Sequence, residues 1–569
     1  MIEGTLPRWL GVTLCLLGAA WPMEAQEGAF RGEALPEEVA EDVLALVNDP
    51  ATLRFDGNGR IPVGQLLEAD VAVVGGTLTI VGTLDGDLVV LNGDLALDSA
   101  ASVTGNVLII GGDIIEGDAQ AIDGLVSIYE RVYPVILRDG VVQPRPERER
   151  ERPGIYVAGS RITIRGGNGY NRVEGLPILV GPVFRTSGDN PLEVDALAIF
   201  RTESGFSLDN VGYDVRVEQA FGAAPRWSIG AGAVSDVVPI QTRGLSDLEA
   251  SLSTFLLHRD NRDHYSREGW SLSLGTEFAS FPLRTRITFR AEDHYSTVPG
   301  GPWTLFRNDE EWRPMPLVAE GDLELLEGEQ EIDRRNDPDD PTDGWFLNAT
   351  LTHGLGGDLS LPAYVPEGAI DPIGPTEVDP RFTLGSFDLR RYARIDPDSD
   401  LRLRLLVQGS LQSDPLPSQF QSALGGMGTL PGFDRFFLDC GARSMTVEVP
   451  PRGEENPARP AFPRYGCEQT ALFQMQFREE LGWRLDLSPD DEDEWDEWHW
   501  YPRVDLSASV VAFLDAARGW SKVPGGTNSD ILADIGAGFF LGDLGFLFAY
   551  PLSGPDQKLR FFVRLQQRF

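Results

Sequence analysis

The chain has 569 residues, with 88 Asp and Glu against 48 Lys and Arg, for a formal charge of −40. That imbalance excludes a nucleic-acid binder, which concentrates cations to neutralise phosphates. Beyond residue 25 no apolar run approaches 20 residues. A helical membrane protein is therefore excluded, but a β-barrel is not, because its strands are apolar only at every second position.

Residues 1–25 read as a secretory signal: Arg8 precedes an apolar run from Trp9 to Ala20, too short to span a bilayer, and Ala20 and Ala25 offer cleavage points. Cys15 leaves with that signal. Export implies an oxidising compartment, so Cys440 and Cys467 are expected to form one disulfide, with metal binding, for which neither has a nearby Cys or His at ligand spacing, and two free thiols as the alternatives. Residues 26–69 form a lead-in with a short helix opened by Pro36, carrying Val39, Val43, Leu46 and Val47 on one side.

Residues 70–143 are repetitive. "DVAVVGGTLTIVGTLDG" from Asp70, "DLVVLNGDLALDSAASVTG" from Asp87 and "NVLIIGGDIIEGDAQAIDG" from Asn106 each place Asp or Asn before an apolar triplet, then Gly-Gly or Asn-Gly, a second strand and a closing Gly. A single such coil cannot bury its apolar face, whereas stacked coils share a continuous core, so a short parallel β-helix is expected. The pattern resembles the bactofilin-type polymer-forming repeat. That resemblance implies self-association, and a stalk, a docking module and a polymeriser all remain open. Residues 144–160, which contain "PRPERERERPG", have nothing to bury and read as a stiff, solvated linker.

Residues 161–569 are read as the barrel domain, and from Arg172 onward the signal is period two. "LRTRITFRA" from Leu283 sets Leu283, Thr285, Ile287, Phe289 and Ala291 on one face against Arg284, Arg286, Thr288 and Arg290 on the other, and "LRLRLLVQGS" from Leu401 does the same. "KLRFFVRLQQRF" ends the chain on Phe569, the aromatic that resembles an outer-membrane barrel signal. The expected fold is all-β: a short parallel β-helix followed by a 16-stranded antiparallel transmembrane β-barrel. The first strand is expected at Val173, the fifth at Leu248, the eighth at Trp312 and the last at Lys558. The even count places both barrel ends in the periplasm, and the β-helix with them.

Three motifs converge on a family. "DRRNDPDDPTDGW", with Asp333, Arg335, Pro341 and Gly344, resembles the periplasmic turn element of the BAM/TAM-type barrel-assembly superfamily, also called the bacterial surface antigen family. "LGGMGTLPGF", with Gly425, Gly426, Leu430, Pro431, Gly432 and Phe433, resembles that family's lumen loop. "FLDAARGW" resembles its Phe-x-Asp strand, with Asp515 as the acid. The resemblance implies a loop folded into the lumen and a weakly closed seam between first and last strands that templates or passes a client.

This sequence departs from the pattern at Pro431, where the family has the arginine that pairs with the Phe-x-Asp acid. Arg435 takes over the pairing, Arg518 satisfies Asp515 from nearby, or the lock is absent. No periplasmic POTRA module is read, and the β-helix stands in that position.

No nucleophile elbow and no paired His ligands occur, so neither catalysis nor a metal or cofactor site is expected. The acidic runs at residues 396–400 and 489–500 lack a full EF-hand pattern and read as solvated turns. Expected partners are outer-membrane lipid, an unfolded outer-membrane or secreted client, and the β-helix of another copy. The rival readings are a structural anchor for the β-helix and a porin-like channel.

Overall fold

A computed structural model describes residues 29–569 except 33–34, 36, 118, 130, 134, 139–140, 145–153, 158–159, 168, 187–189, 204–209, 223–224, 279–281, 337–339, 397–398, 413–414, 451–457, 487–504, 523–525 and 555–556. The signal reading at 1–25, Pro36 and the acidic run at 489–500 lie outside the described residues. The chain forms two compact units, Met1–Arg145 and Pro146–Phe569.

The first unit is a parallel solenoid. Strands β1 (Ala29–Gly32), β2 (Leu53–Asp56), β3 (Val71–Ile80), β4 (Leu88–Leu97), β5 (Val107–Ile110) and β6 (Val126–Tyr129) stack in the order β1-β6-β5-β4-β3-β2, all pairs parallel. The repeat residues do the stacking. The Asp70 carboxylate accepts from the Asp87 amide at 2.8 Å, Asp87 from the Asn106 amide at 2.7 Å, and Asn106 from the Leu125 amide at 3.0 Å. Each coil thereby satisfies an amide at the corner of the next.

Gly75, Asn92 and Gly111 occupy the same left-handed position in successive coils, which explains the Gly-Gly, Asn-Gly, Gly-Gly series. Val71, Val73, Leu78, Val90, Leu95, Val107, Ile109 and Val126 fill the core. The helix α1 (Glu37–Val47) lays Val43 and Val47 on a second cluster with Ala72, Val89, Leu91 and Ile110.

The second unit is one antiparallel sheet. Its order is β7 (Gly154–Val157), β8 (Ser160–Gly166), β9 (Pro177–Arg185), β10 (Leu192–Arg201), β11 (Gly212–Phe221), β12 (Arg226–Pro239), β13 (His264–Phe278), β14 (Leu283–Ser296), β15 (Glu320–Asp333), β16 (Gly344–Leu361), β17 (Thr383–Asp396), β18 (Ser399–Ser410), β19 (Gln469–Asp486), β20 (Asp505–Trp520), β21 (Leu532–Leu541), β22 (Leu544–Pro551) and β23 (Arg560–Arg564), with a short strand Thr376–Val378 added beside β16. β7 folds back as a hairpin on the outer edge of β8. With the short strand set aside, the sheet holds seventeen strands, β7 to β23, against the sixteen expected.

One strand expected from the sequence is lost and two are gained. The segment from Leu248 is the helix α2 (Asp247–Leu257), because Ser246 and Glu249 close a reciprocal capping box that starts a helix. β7 and the start of β8 fall within the stretch read as linker. The segment near Val173 is a turn closed by the Asn171–Gly175 bridge, and the strand expected at Trp312 begins at Glu320.

The sheet's polarity is inside out. On β18, Arg402 is 1% and Arg404 5% exposed, while Leu405 and Val407 are each 40% exposed. Arg404 and Arg390 share Asp388 at 2.7 and 2.8 Å. On β14, Arg286 reaches Glu218 of β11 at 3.4 Å although β12 and β13 lie between them, a contact that only the concave face of a curved sheet allows. The charges therefore face the lumen and the alternating apolar residues face outward, as a barrel in lipid requires. No described helix is long and apolar enough to cross a membrane.

Candidate functional site: the lumen loop, the paired acids and the C terminus

The connection from β18 to β19, residues 411–468, carries the glycine-rich stretch. The Cys440–Cys467 disulfide bridges it, with S–S 2.03 Å across a separation of 27 residues. Leu424, Leu430, Phe433 and Leu438 pack with both cysteines against Leu406, Leu472, Ala517 and Leu532 of β18, β19, β20 and β21. The loop is thus held to one wall of the lumen by an apolar patch and is closed on itself by the disulfide.

Polar contacts fix its tip. The Gly425 amide donates to Thr429 Oγ1 at 2.8 Å, Gln474 Nε2 donates to the Thr429 carbonyl at 3.1 Å, and the Gly432 amide donates to Asp534 Oδ2 at 2.8 Å. A Cβ on Gly432 would lie 2.6 Å from Asp534 Cβ, so this approach needs glycine. Arg560 of β23 donates to the Gly432 carbonyl at 2.8 Å and pairs with Asp434 at 2.5 Å.

Asp515 of β20 and Asp534 of β21 are register partners on adjacent strands. Asp515 is fully buried, and its cationic partner is Arg568, the penultimate residue, whose guanidinium also covers the Phe513 ring at 3.9 Å. Neither candidate from the sequence fills that role. Arg435 instead bonds the Asp260 carbonyl and Asn261 Oδ1. Arg518 bonds the Ser529 carbonyl at 3.2 Å and stacks on Trp520, because three residues along a strand reverse the face from that of Asp515.

The turn between β15 and β16 projects inward as well. Asp333 holds Arg335 at 2.6 Å, Pro341 is buried, and Gly344 has φ +111°. Asp340 reaches Arg478 at 2.9 Å, Arg402 at 3.2 Å and Gln567 at 2.7 Å. Asp400, in the acidic run at 396–400, is buried on Arg402 at 2.5 Å rather than solvated.

Beyond these motifs lies the helix α2. Its Glu249 is buried on Arg564 of β23 at 2.7 Å and accepts from the Leu565 amide at 2.8 Å, while its Ser251 accepts from the Tyr170 amide at 2.9 Å. A second buried centre is Asp263, which gathers Arg172 at 2.5 Å, Arg313 at 2.5 Å and Arg443 at 2.7 Å from three other connections. Only the Ser246–Glu249 spacing signals α2 in the sequence. The four groups of the Asp263 centre come from separate loops and carry no shared pattern.

The histidines are engaged singly: His258 stacks on Trp312, His294 bonds Glu292 and Gln419, and His353 bonds Thr383. Among the described residues no His, Cys, Asp and Glu group has the arrangement to hold a metal. Two polar cavities of about 470 and 390 Å³ lie along the inner face, one lined by Glu218, Arg284, Arg286 and Glu331, the other by Arg243, Asp388, Arg390 and Gln408.

Ladders, polarity and inward loop together define a membrane-spanning antiparallel β-barrel whose chain begins with a parallel β-solenoid. No protein-family model matches the chain. A curated relative, the anti-sigma-W factor RsiW of Geobacillus kaustophilus (strain HTA426), is 30% identical over 99 residues, 17% of this chain, and the chain spans 40% of that relative's length. Among solved structures it is similar to BamA from Haemophilus ducreyi lacking POTRA domains 1-3, with TM-score 0.41 and 13% identity over 71% of this chain and 70% of that one. It is also similar to CdiB from Escherichia coli, with TM-score 0.34 and 14% identity over 76% of this chain and 67% of that one. The architecture stated above rests on the chain's own ladders and polarity.

Proposed function

We propose that the protein is an outer-membrane barrel of the assembly and translocation type, in which the seam between the β7–β8 edge and β23 admits or templates a polypeptide client. The carrying observation is the state of that seam. β23 is only five residues long, and among the described residues no ladder joins it to β7 or β8. An edge strand left unpaired presents a row of amides and carbonyls that an extended client segment can satisfy. The inward loop, its Asp534 contact and the family-like motifs around Asp333, Gly425 and Asp515 support the same reading, with the β-solenoid on the periplasmic side.

Cross-linking the seam tests this. Cysteines replacing the outward residues Ile164 on β8 and Phe561 on β23, bridged by a bis-maleimide, should abolish client-dependent envelope growth while single-cysteine controls retain it. Growth unaffected by the bridge would sink the reading. It would leave the barrel as an anchor for the solenoid, whose activity then disappears when residues 28–150 are deleted.

A further inference from the structure

β23 does not continue as a strand through residues 565–569. After Arg564 the ladder stops, yet Gln567 donates to Asp340 at 2.7 Å and Arg568 pairs with Asp515, both inside the lumen. Consecutive residues of a continuing strand would point to opposite faces. Two neighbours held on the inner side therefore mean that the tail has turned away from the wall. Glu249 of α2 reinforces the turn by taking both the Arg564 side chain and the Leu565 amide.

What receives Arg568 is a shaped recess. Phe513 and Asp515, two residues apart on β20, present a ring face and a carboxylate to the same side, and Asp534 is the register partner of Asp515. Gln474 donates to Asp515 at 3.4 Å and to the loop carbonyl of Thr429 at 3.1 Å, joining the recess to the glycine-rich tip. A planar, weakly hydrated cation that stacks on a ring while bonding a carboxylate fits such a dry recess better than an ammonium does. At Pro431 the loop supplies no cation.

We propose that the recess of Phe513, Asp515 and Asp534 is a guanidinium-binding site whose resident ligand is the chain's own Arg568, making residues 565–569 an internal latch. While the latch is seated, the end of β23 is withheld from the seam, and the loop tip and the tail are held through one hydrogen-bonded group. The consequence for the seam rests on the function proposed above; occupancy of the recess does not.

Carboxypeptidase digestion of the full-length folded protein in detergent micelles, followed by intact mass, reads the latch without any client. Asp515→Asn leaves the tail sequence unchanged and should speed loss of the last residues about tenfold or more, while Arg518→Ala, on the opposite face, trims at the wild-type rate. Folding of each variant is checked by heat-modifiable gel migration. Phe513→Leu, which removes the ring and no charge, gives an independent arm and should trim at an intermediate rate. A wild-type tail digested as fast as that of Asp515→Asn, or both variants as resistant as wild type, overturns the latch. Failure of the seam cross-link with a protected tail would overturn only the proposed function.

Discussion

Asp534 shows how a single residue sets the state of the lumen. Its carboxylate accepts from Gly432 at 2.8 Å, and the glycine leaves no room for a side chain. Gly432→Val should therefore expel the loop tip, and planar-bilayer recordings should show a larger steady conductance than wild type. The Asp263 centre makes a pH prediction outside the strands. Burial pushes its carboxyl up, but Arg313, Arg172 and Arg443 outweigh that and hold it well below the usual carboxylate range. A depressed acid contributes stability that is fully present above its unfolded value of 3.8 and is lost as pH falls through the lower folded value. Protease resistance of the loops should thus be constant from neutral pH to about 4 and fall below it. Asp263→Asn should be loop-sensitive at every pH, because Arg313 and Arg443 then lose their shared carboxylate and Arg172 keeps only Asp260.

Among the elements, β1 has a role that its position before the repeats conceals. It pairs in parallel with β6, Ala29 opposite Val126 through Gly32 opposite Tyr129, and so occupies the edge where the next coil would add. There it takes the backbone bonds that a further coil, of the kind the bactofilin-like repeat suggests, would make with β6. Removing residues 29–32 should raise the sedimenting mass of the protein in a concentration-dependent way, whereas the intact chain should not change. Other elements show how much the sequence carries. The Asp70, Asp87, Asn106 series was legible because each coil repeats one corner, and the same corner reappears as the amide ladder. The helix α2 was not, because Leu248, Leu252 and Leu256 satisfy a period of two as readily as one of four. Its capping box, set against those apolar residues, decides the matter locally.

At the scale of the whole molecule, the inverted polarity is the property on which the rest depends. Leu405 and Arg404 are neighbours on β18, one outward and one inward. Leu405→Arg should cost about 2 to 4 kcal/mol of folding into lipid vesicles if the site lies near mid-bilayer, whereas an added charge on the lumen side costs far less. Urea titration of vesicle-folded protein measures the difference. The short edge strand β23, the back-folded β7 on the other edge and the lumen contents then act together: α2 contacts both Tyr170, just after β8, and Arg564 at the end of β23. Side-chain bonds across the lumen tie the two edges where, among the described residues, no backbone ladder does.

Period-two alternation of arginine with leucine and phenylalanine determined by itself which residues share a face, because a strand's side chains have no other choice; that the arginine face is the inner one was decided by the curved sheet, which brings Arg286 to Glu218 across two strands. The 17- and 19-residue spacing likewise determined the solenoid's core and corners. The partner of Asp515 was decided only in three dimensions. Arg435 and Arg518 are close to the motifs in sequence, yet one is carried off by the loop's path and the other lies on the wrong face. Arg568, 53 residues beyond Asp515, arrives because the tail turns inward. A buried charge takes whichever cation the closed fold brings within reach, and sequence distance has no part in that choice.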